Sequence, residues 1–371
     1  MMEETLIGVI GSSGFIGRKL CEQLIKKYNV RGGQRSPRYA DANLSTNRIS
    51  WQYVDVFDEM SLENFCSGCD IVINCAGPTY KISDRIAVVA NRNGSDYVDI
   101  FGGGYLEYQL YKECIEGKNY KIFAAGSMPG FSGIALKWLI SKFDIIQKIK
   151  VYEGSFEKSG ISACEDIILS SVKNFGLKDT YVEDMKYIRK GLEQESVLIP
   201  GVPEPVYCQY YLTQEIQHLQ KKYSIPNIKV YHMNSNKKLA DMLSQACFEA
   251  VFSEENVRNN AMKIYSLLND MASKKETWYA YVVEAEGIIG HQLYQKRLVI
   301  RAKESALINV GVLESVLDEI VKREKNYGIL WAYDFVDAES VMQKLSNEGI
   351  IKYYLTDIVE KYVQEVEEGE L

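Results

Sequence analysis

The sequence predicts an α/β protein. An N-terminal doubly wound parallel sheet is joined to a mixed α/β second domain that carries an antiparallel sheet. Three observations lead there. Strand-like apolar runs alternate with helix-like segments through the first 130 residues, the pattern of a parallel sheet with crossover helices. A glycine turn, Gly11-Ser12-Ser13-Gly14-Phe15-Ile16-Gly17, lies between the first strand and the first helix. From about Ile145 the pattern changes to half-exposed alternation and two long strands joined by a hairpin.

The elements follow in order. Thr5 to Ile10 reads as a short buried strand, and Phe15 to Lys27 as a helix with Ile16, Leu20, Leu24 and Ile25 on its apolar face. Strand, glycine turn and helix in this order make a dinucleotide crevice, because the free N–H groups and positive dipole end of the helix face a pyrophosphate. Ser12, Ser13, Phe15 and Ile16 are expected at that contact with the three glycines. The second strand falls within Tyr28 to Ser36, where an acid would select a free ribose hydroxyl. No acid precedes Asp41; Arg35, Ser36 and Arg38 cluster there instead. A guanidinium suits a 2′-phosphate, so NADP(H) is expected over NAD. A third strand at Ile49 to Val56 and a helix around Ser61 to Cys66 come next. The strand Asp70 to Asn74 ends in Cys75-Ala76-Gly77-Pro78, small residues that let a cofactor ring pass closely. A helix from about Asp84 to Asn93, a strand from Ser95 to Gly102, a helix from about Tyr105 to Glu116 and a strand at Lys121 to Gly126 complete the domain, which ends at Ser127-Met128-Pro129-Gly130.

In the second part, Lys148 to Phe156 alternates as a strand, Ser162 to Asn174 is helical and Ile225 to Met233 includes a strand. Leu239 to Phe252 is helical, and Thr277 to Ala285 and Gln292 to Ala302 form a hairpin around Glu286 to His291. Ala306 to Lys322 is again helical.

The chain has 371 residues, 46% hydrophobic and 25% charged, with net charge −7. This acidic balance excludes nucleic acid or an anionic membrane as the main partner. No apolar run approaches the roughly 20 residues of a membrane span, and Met1-Met2-Glu3-Glu4 is unlike a signal peptide, so a cytoplasmic protein is expected. Eight scattered cysteines, several in apolar segments, read as free core thiols. Cys66 and Cys69 have CxxC spacing without a second pair or a nearby histidine, and the histidines lack ligand spacing, so no metal is expected.

Four segments, GSSGFIG at 11–17, INCAGP at 73–78, DYVDIFGG at 96–103 and AAGSMPGFSGI at 124–134, resemble the saccharopine dehydrogenase-like oxidoreductases. Gly328 to Trp331 and the following helix to Ile350 resemble that family's ending. The resemblance implies a dinucleotide-binding domain at 1–130, a substrate-binding and dimerisation domain at 131–325, and C-terminal helices at 326–371 that return to the first domain. It also implies a homodimer and a small, amino-acid-derived imine, carbonyl or activated alkene as hydride acceptor. Where many relatives carry a glutamate after the fifth strand, this chain has Gly103, which supplies no carboxylate.

Tyr80, directly after the GP loop, Asp99 in the fifth strand and His232 in the second domain are the candidate catalytic residues, being groups that could donate, orient or accept a proton near the crevice. Glu157 and Lys158 are candidates for a substrate carboxylate or amine. His218 is expected on an exposed polar helix and His291 in the hairpin. Two other readings compete. Tyr108 and Lys112 match the YxxxK of a short-chain-dehydrogenase-type carbonyl reductase, although they lie too close to Asn74-Cys75-Ala76-Gly77 for that fold. The missing carboxylate at Gly103 suits a non-catalytic NADP-binding sensor or scaffold.

Overall fold

The computed structural model describes residues 5–36, 47–113, 119–172, 175–191, 196–322 and 328–358. In the first domain the strands are β1 (Leu6–Ile10), β2 (Asn29–Gln34), β3 (Ile49–Tyr53), β4 (Ile71–Asn74), β5 (Asp96–Asp99) and β6 (Tyr120–Phe123). The helices are α1 (Phe15–Leu24), α2 (Glu59–Cys66), α3 (Thr79–Ile82), α4 (Arg85–Arg92), α5 (Gly104–Glu113) and α6 (Phe131–Ile140). The sheet order β6-β5-β4-β1-β2-β3 is wholly parallel, so the order reverses beside β1, where an open α/β sheet receives ligands. β1 and β4 are buried on both faces, as a parallel sheet covered by helices requires.

The second domain contains β7 (Ile145–Phe156), α7 (Ile161–Val172), β8 (Gly176–Lys178), β9 (Thr180–Glu183), β10 (Lys186–Arg189), β11 (Ser196–Val197) and β12 (Val206–Thr213). It continues through α8 (Gln214–Lys222), β13 (Asn227–Asn234), α9 (Lys237–Ala250), α10 (Glu255–Lys274), β14 (Trp278–Ile289), β15 (Gln292–Ala302) and α11 (Ser305–Lys322). Its ten-stranded sheet is mixed: β13 pairs with β7 in parallel, and β14 pairs with both β7 and β15 antiparallel. The first hairpin strand, β14, runs to Ile289 rather than ending at Ala285, leaving a two-residue turn at Gly290 and His291.

The chain then returns. β16 (Gly328–Trp331) adds to β6 at the edge of the first sheet, α12 (Ala332–Phe335) and α13 (Ala338–Asn347) follow, and β17 (Lys352–Asp357) adds to β15 in the second sheet. Residues 326–371, expected as helices alone, thus also supply a strand to each sheet. Register explains how the two domains meet. Ile149, Val151 and Glu153 of β7 share a face with Ile228, Val230 and His232 of β13 and with Tyr281 and Val283 of β14. The apolar members of this face join Leu139, Ile134 and Phe131 of α6 and the first domain's core in one continuous hydrophobic cluster.

Candidate active site

The glycine turn is built from its own backbone. The amides of Gly11 and Ser12 and the Ser12 hydroxyl all donate to the Gly33 carbonyl at the end of β2. Ser12 therefore holds the turn onto β2 rather than facing outward. Gly11 has φ +80°, and a Cβ there would lie 2.7 Å from the Ala76 nitrogen, so the turn and the loop after β4 touch backbone to backbone. A Cβ on Gly17 would overlap the Gly11 carbonyl. No side chain caps α1, and the amides of Phe15, Ile16 and Gly17 have no backbone partner among the described residues. Such an open helix start suits a phosphate.

Ser13 and Phe15 are exposed beside it, and Ile16 packs toward the core. Arg35 and Ser36 stand exposed at the end of β2; Arg38 lies outside the described residues. Next to Arg35, Gln34 is buried, with neither amide atom hydrogen-bonded among the described residues. A buried amide without a partner awaits a polar ligand. A dinucleotide thus fits: an uncapped helix start, a turn with no room for side chains, and a guanidinium at the strand end.

Beyond the turn, Asn74 Oδ1 accepts the Ala76 amide at 2.9 Å, and Asn74 Nδ2 donates to Asp99 at 3.0 Å. Asp99 also accepts from the Tyr97 hydroxyl at 2.6 Å and the Phe101 amide at 2.8 Å. It is fully buried and its pKa is raised by desolvation against these hydrogen bonds. Asp99 is therefore a positioning residue that sets the loop from Cys75 to Pro78. The peptide bonds before Pro78 and Pro129 are cis. Cys75 is partly covered, and burial pushes its thiol well above the ordinary range. The Ser127 amide donates to Asn309 of α11 at 2.7 Å, which ties the PG loop to the second domain.

Tyr80, on α3, faces the second domain with its ring edge-on to Phe175. Burial, then Tyr211 and Asp166, push its hydroxyl well above the ordinary tyrosine range. α7 lies directly on the GP loop: a Cβ on Gly77 would be 3.0 Å from Asp166 Oδ2. Neither carboxylate oxygen of Asp166 has a hydrogen-bond partner among the described residues. Desolvation carries Asp166 up to about 7, although the nearby amides of Thr79 and Tyr80 pull the other way. The Thr79 hydroxyl and Gln214 Oε1, which bound a small cavity beside Tyr80 and Phe175, have no hydrogen-bond partner among the described residues.

On the sheet floor, Glu153 is buried, and desolvation raises it to about 7. His232 stands opposite it in register, and burial lowers its pKa. Glu215 opens α8 and grips the PG loop, accepting the Gly130 amide at 2.8 Å and the Ser132 hydroxyl at 2.5 Å. Burial raises it to about 8 against these hydrogen bonds.

The structure therefore brings Tyr80 to the crevice beside Asp166, and places His232 on the floor with Glu153. Asp166, Glu153 and Glu215 escape the sequence reading, although Glu153 carried a signal. It has the parity of buried Ile149 and Val151 on an alternating strand. Other candidates fall elsewhere. Glu157 accepts the Ser305 amide at 2.8 Å and so caps α11. His218, expected exposed, is half-buried, stacked on Trp331 and hydrogen-bonded to Tyr333. Tyr108 is 67% exposed on α5, away from any crevice, as is Lys112, paired with Glu113. Cys66 and Cys69 are buried thiols, Cys66 pushed up to about 12 by burial. No helix among the described residues is long and apolar enough to cross a membrane.

Fold and crevice together define a two-domain dinucleotide-fold protein with a mixed-sheet domain closing over the first. Its fold is similar to that of a solved saccharopine dehydrogenase. The chain is similar to the apo histidine-tagged saccharopine dehydrogenase (L-Glu forming) from Saccharomyces cerevisiae. The TM-score is 0.69 and the identity 13%, over 96% of this chain and 100% of that one. Residues 7–93 match the NAD dependent epimerase/dehydratase family. A short-chain dehydrogenase/reductase from Veillonella parvula is similar over 32% of this chain and 67% of its own, at 12% identity and TM-score 0.28. Comparison with curated proteins gives no match.

Proposed function

We propose that the chain is an NADP(H)-dependent oxidoreductase that reduces a small C=N, C=O or activated C=C bond in the crevice between its two domains. One observation carries the reading. The uncapped start of α1 and a neutral-range carboxyl, Asp166, stand at the two ends of one continuous backbone contact through the glycine turn and the GP loop. A bound reduced nicotinamide would supply the hydride. Arg35 and Ser36 would hold the 2′-phosphate, and the α1 amides the pyrophosphate.

Asp166, poised near pH 7, would hand its proton to a substrate nitrogen or oxygen. Tyr80 holds its own proton too firmly to release it, so it would donate a hydrogen bond that orients the substrate. The second domain excludes water from the reacting bond. Titration of the protein with NADPH and NADH, followed by NADPH oxidation against imines, 2-oxo acids and enones, tests this. NADPH binding at least ~10-fold tighter than NADH, with turnover of one substrate class, is the expected result. Tight NADPH binding without oxidation across the panel favours the sensor reading.

A further inference from the structure

Where β2 ends, one polar side chain has no use within the protein. Gln34 is the last residue of that strand and is only 5% exposed. Neither its Nε2 nor its Oε1 has a hydrogen-bond partner among the described residues. Its backbone is fixed: the Gln34 carbonyl accepts the Val54 amide at 3.1 Å, while the Gly33 carbonyl before it holds the glycine turn. Alternation along the strand puts Gln34 on the face of Gly32, where a Cβ would lie 3.2 Å from the Ser12 hydroxyl oxygen. That is the face on which the glycine turn lies. Gly33 looks the other way, toward Phe65 of α2. Arg31, which shares that opposite face, is committed to the Phe65 and Ser67 carbonyls. At the strand end, Gln34 therefore stands with exposed Arg35 and Ser36 and with no other charge from β2.

A buried amide that makes no hydrogen bond destabilises the fold, and an apolar side chain of equal length would not. Local conflicts of this kind mark functional positions. The end of β2 is where a carboxylate accepts the hydroxyls of a free ribose and repels a 2′-phosphate. Glutamine has the shape of glutamate, with one oxygen replaced by an N–H donor and without the charge. It donates to a phosphate oxygen where glutamate would oppose it. Rotation about its side-chain bonds turns the amide toward a ligand lying across the strand end.

We propose that Gln34 is a specificity-determining residue: its Nε2 donates to the 2′-phosphate of the cofactor, and its neutrality admits that phosphate beside Arg35. The proposal rests on the dinucleotide part of the oxidoreductase reading and is independent of the chemistry in the crevice. Calorimetric titration of the full chain with 2′,5′-ADP and 5′-AMP, the adenosine halves of NADP and NAD, tests it. Wild type should bind 2′,5′-ADP at least ~10-fold more tightly than 5′-AMP. Gln34→Met keeps the length and removes both polar atoms. It should weaken 2′,5′-ADP at least ~10-fold, the scale of one charged hydrogen bond, and raise the Tm of the ligand-free chain. Gln34→Glu, titrated at about pH 8, above the ordinary carboxyl range, should abolish or reverse the preference for 2′,5′-ADP.

Unchanged 2′,5′-ADP affinity in Gln34→Met, a Tm lowered by that substitution, or an unchanged preference in Gln34→Glu overturns the proposal. Should Gln34→Glu fail to fold, Gln34→Met and Gln34→Leu carry the comparison. A chain that binds the two nucleotides as expected but oxidises NADPH with no substrate overturns the reductase reading and supports this one. A chain that binds neither nucleotide overturns both.

Discussion

Single residues divide into those that build the crevice and those that act in it. Asp99 and Asp166 are both buried carboxyls, but Asp99 accepts three close hydrogen bonds, whereas only the nearby amides of Thr79 and Tyr80 favour the ionised form of Asp166. Hydrogen bonds to the ionised form fix Asp99 in a structural role, whereas Asp166 is left to titrate. Asp166→Asn is expected to lower kcat by ~10²–10⁴, the usual worth of a general acid, with NADPH affinity unchanged in a fluorescence titration. Tyr80→Phe should cost only about tenfold in kcat/KM, as for one lost hydrogen bond. Tyr108→Phe should leave turnover unaltered, because its ring stands in solvent. Arg35→Ala should weaken NADPH ~10-fold without changing NADH affinity.

Gly103 gains a physical account as well. A Cβ there would lie 2.9 Å from Gln214 Oε1 and 3.3 Å from the Phe175 ring, so the space of a carboxylate is already filled. A carboxyl reaches the GP loop instead from the second domain, as Asp166 on α7. That exchange was illegible in the sequence, because motif positions report one strand end while the facing wall is set by packing.

Among the elements, the first sheet was legible because each parallel strand is a short apolar run bounded by turns. The segment from β8 to β11 was not. Its strands have two to four residues and expose most side chains, which leaves little alternation to read. α10 also escaped: its buried positions Val257, Ala261 and Ile264 are spread through a polar sequence.

The helix that matters most to the crevice is α8, through Glu215 in its first turn. Its folded pKa is raised above that of the unfolded chain, as are those of Glu153 and Asp166. The native state therefore binds more protons than the unfolded state from about pH 4.5 to 8. The stabilisation is complete below the unfolded pKa and is lost as pH rises through the folded values. Tm, followed by circular dichroism, should fall as pH rises across that window. Glu215→Gln keeps a carbonyl for the Gly130 amide and loses the charge, so it should flatten this slope and be the more stable form at the alkaline end. A Tm that rises across the window contradicts the account.

At the scale of the whole molecule, the two sheets share one hydrophobic cluster, in which Ile149, Val151, Val230 and Val283 lie with Ile134, Leu139 and the β1 and β4 residues. Inter-domain interfaces of this apolar kind do not separate readily. Thermal unfolding is expected as one transition seen alike by calorimetry and by tryptophan fluorescence. Two resolved transitions would show that the crevice walls are held by polar contacts alone. NADPH, binding only the native state, should raise that single Tm in proportion to the logarithm of its concentration.

The return of the chain through β16 and β17 has a consequence for synthesis. One stretch of residues, 328–357, closes an edge of the first sheet and an edge of the second. On the ribosome, both sheets would stand with an unpaired border until this stretch emerges, and unpaired strand edges are where nascent chains associate wrongly. The two domains therefore mature together and late, although the nucleotide turn is among the first residues made. A chain ending at Lys322 should be recovered as aggregate rather than as a smaller nucleotide-binding protein.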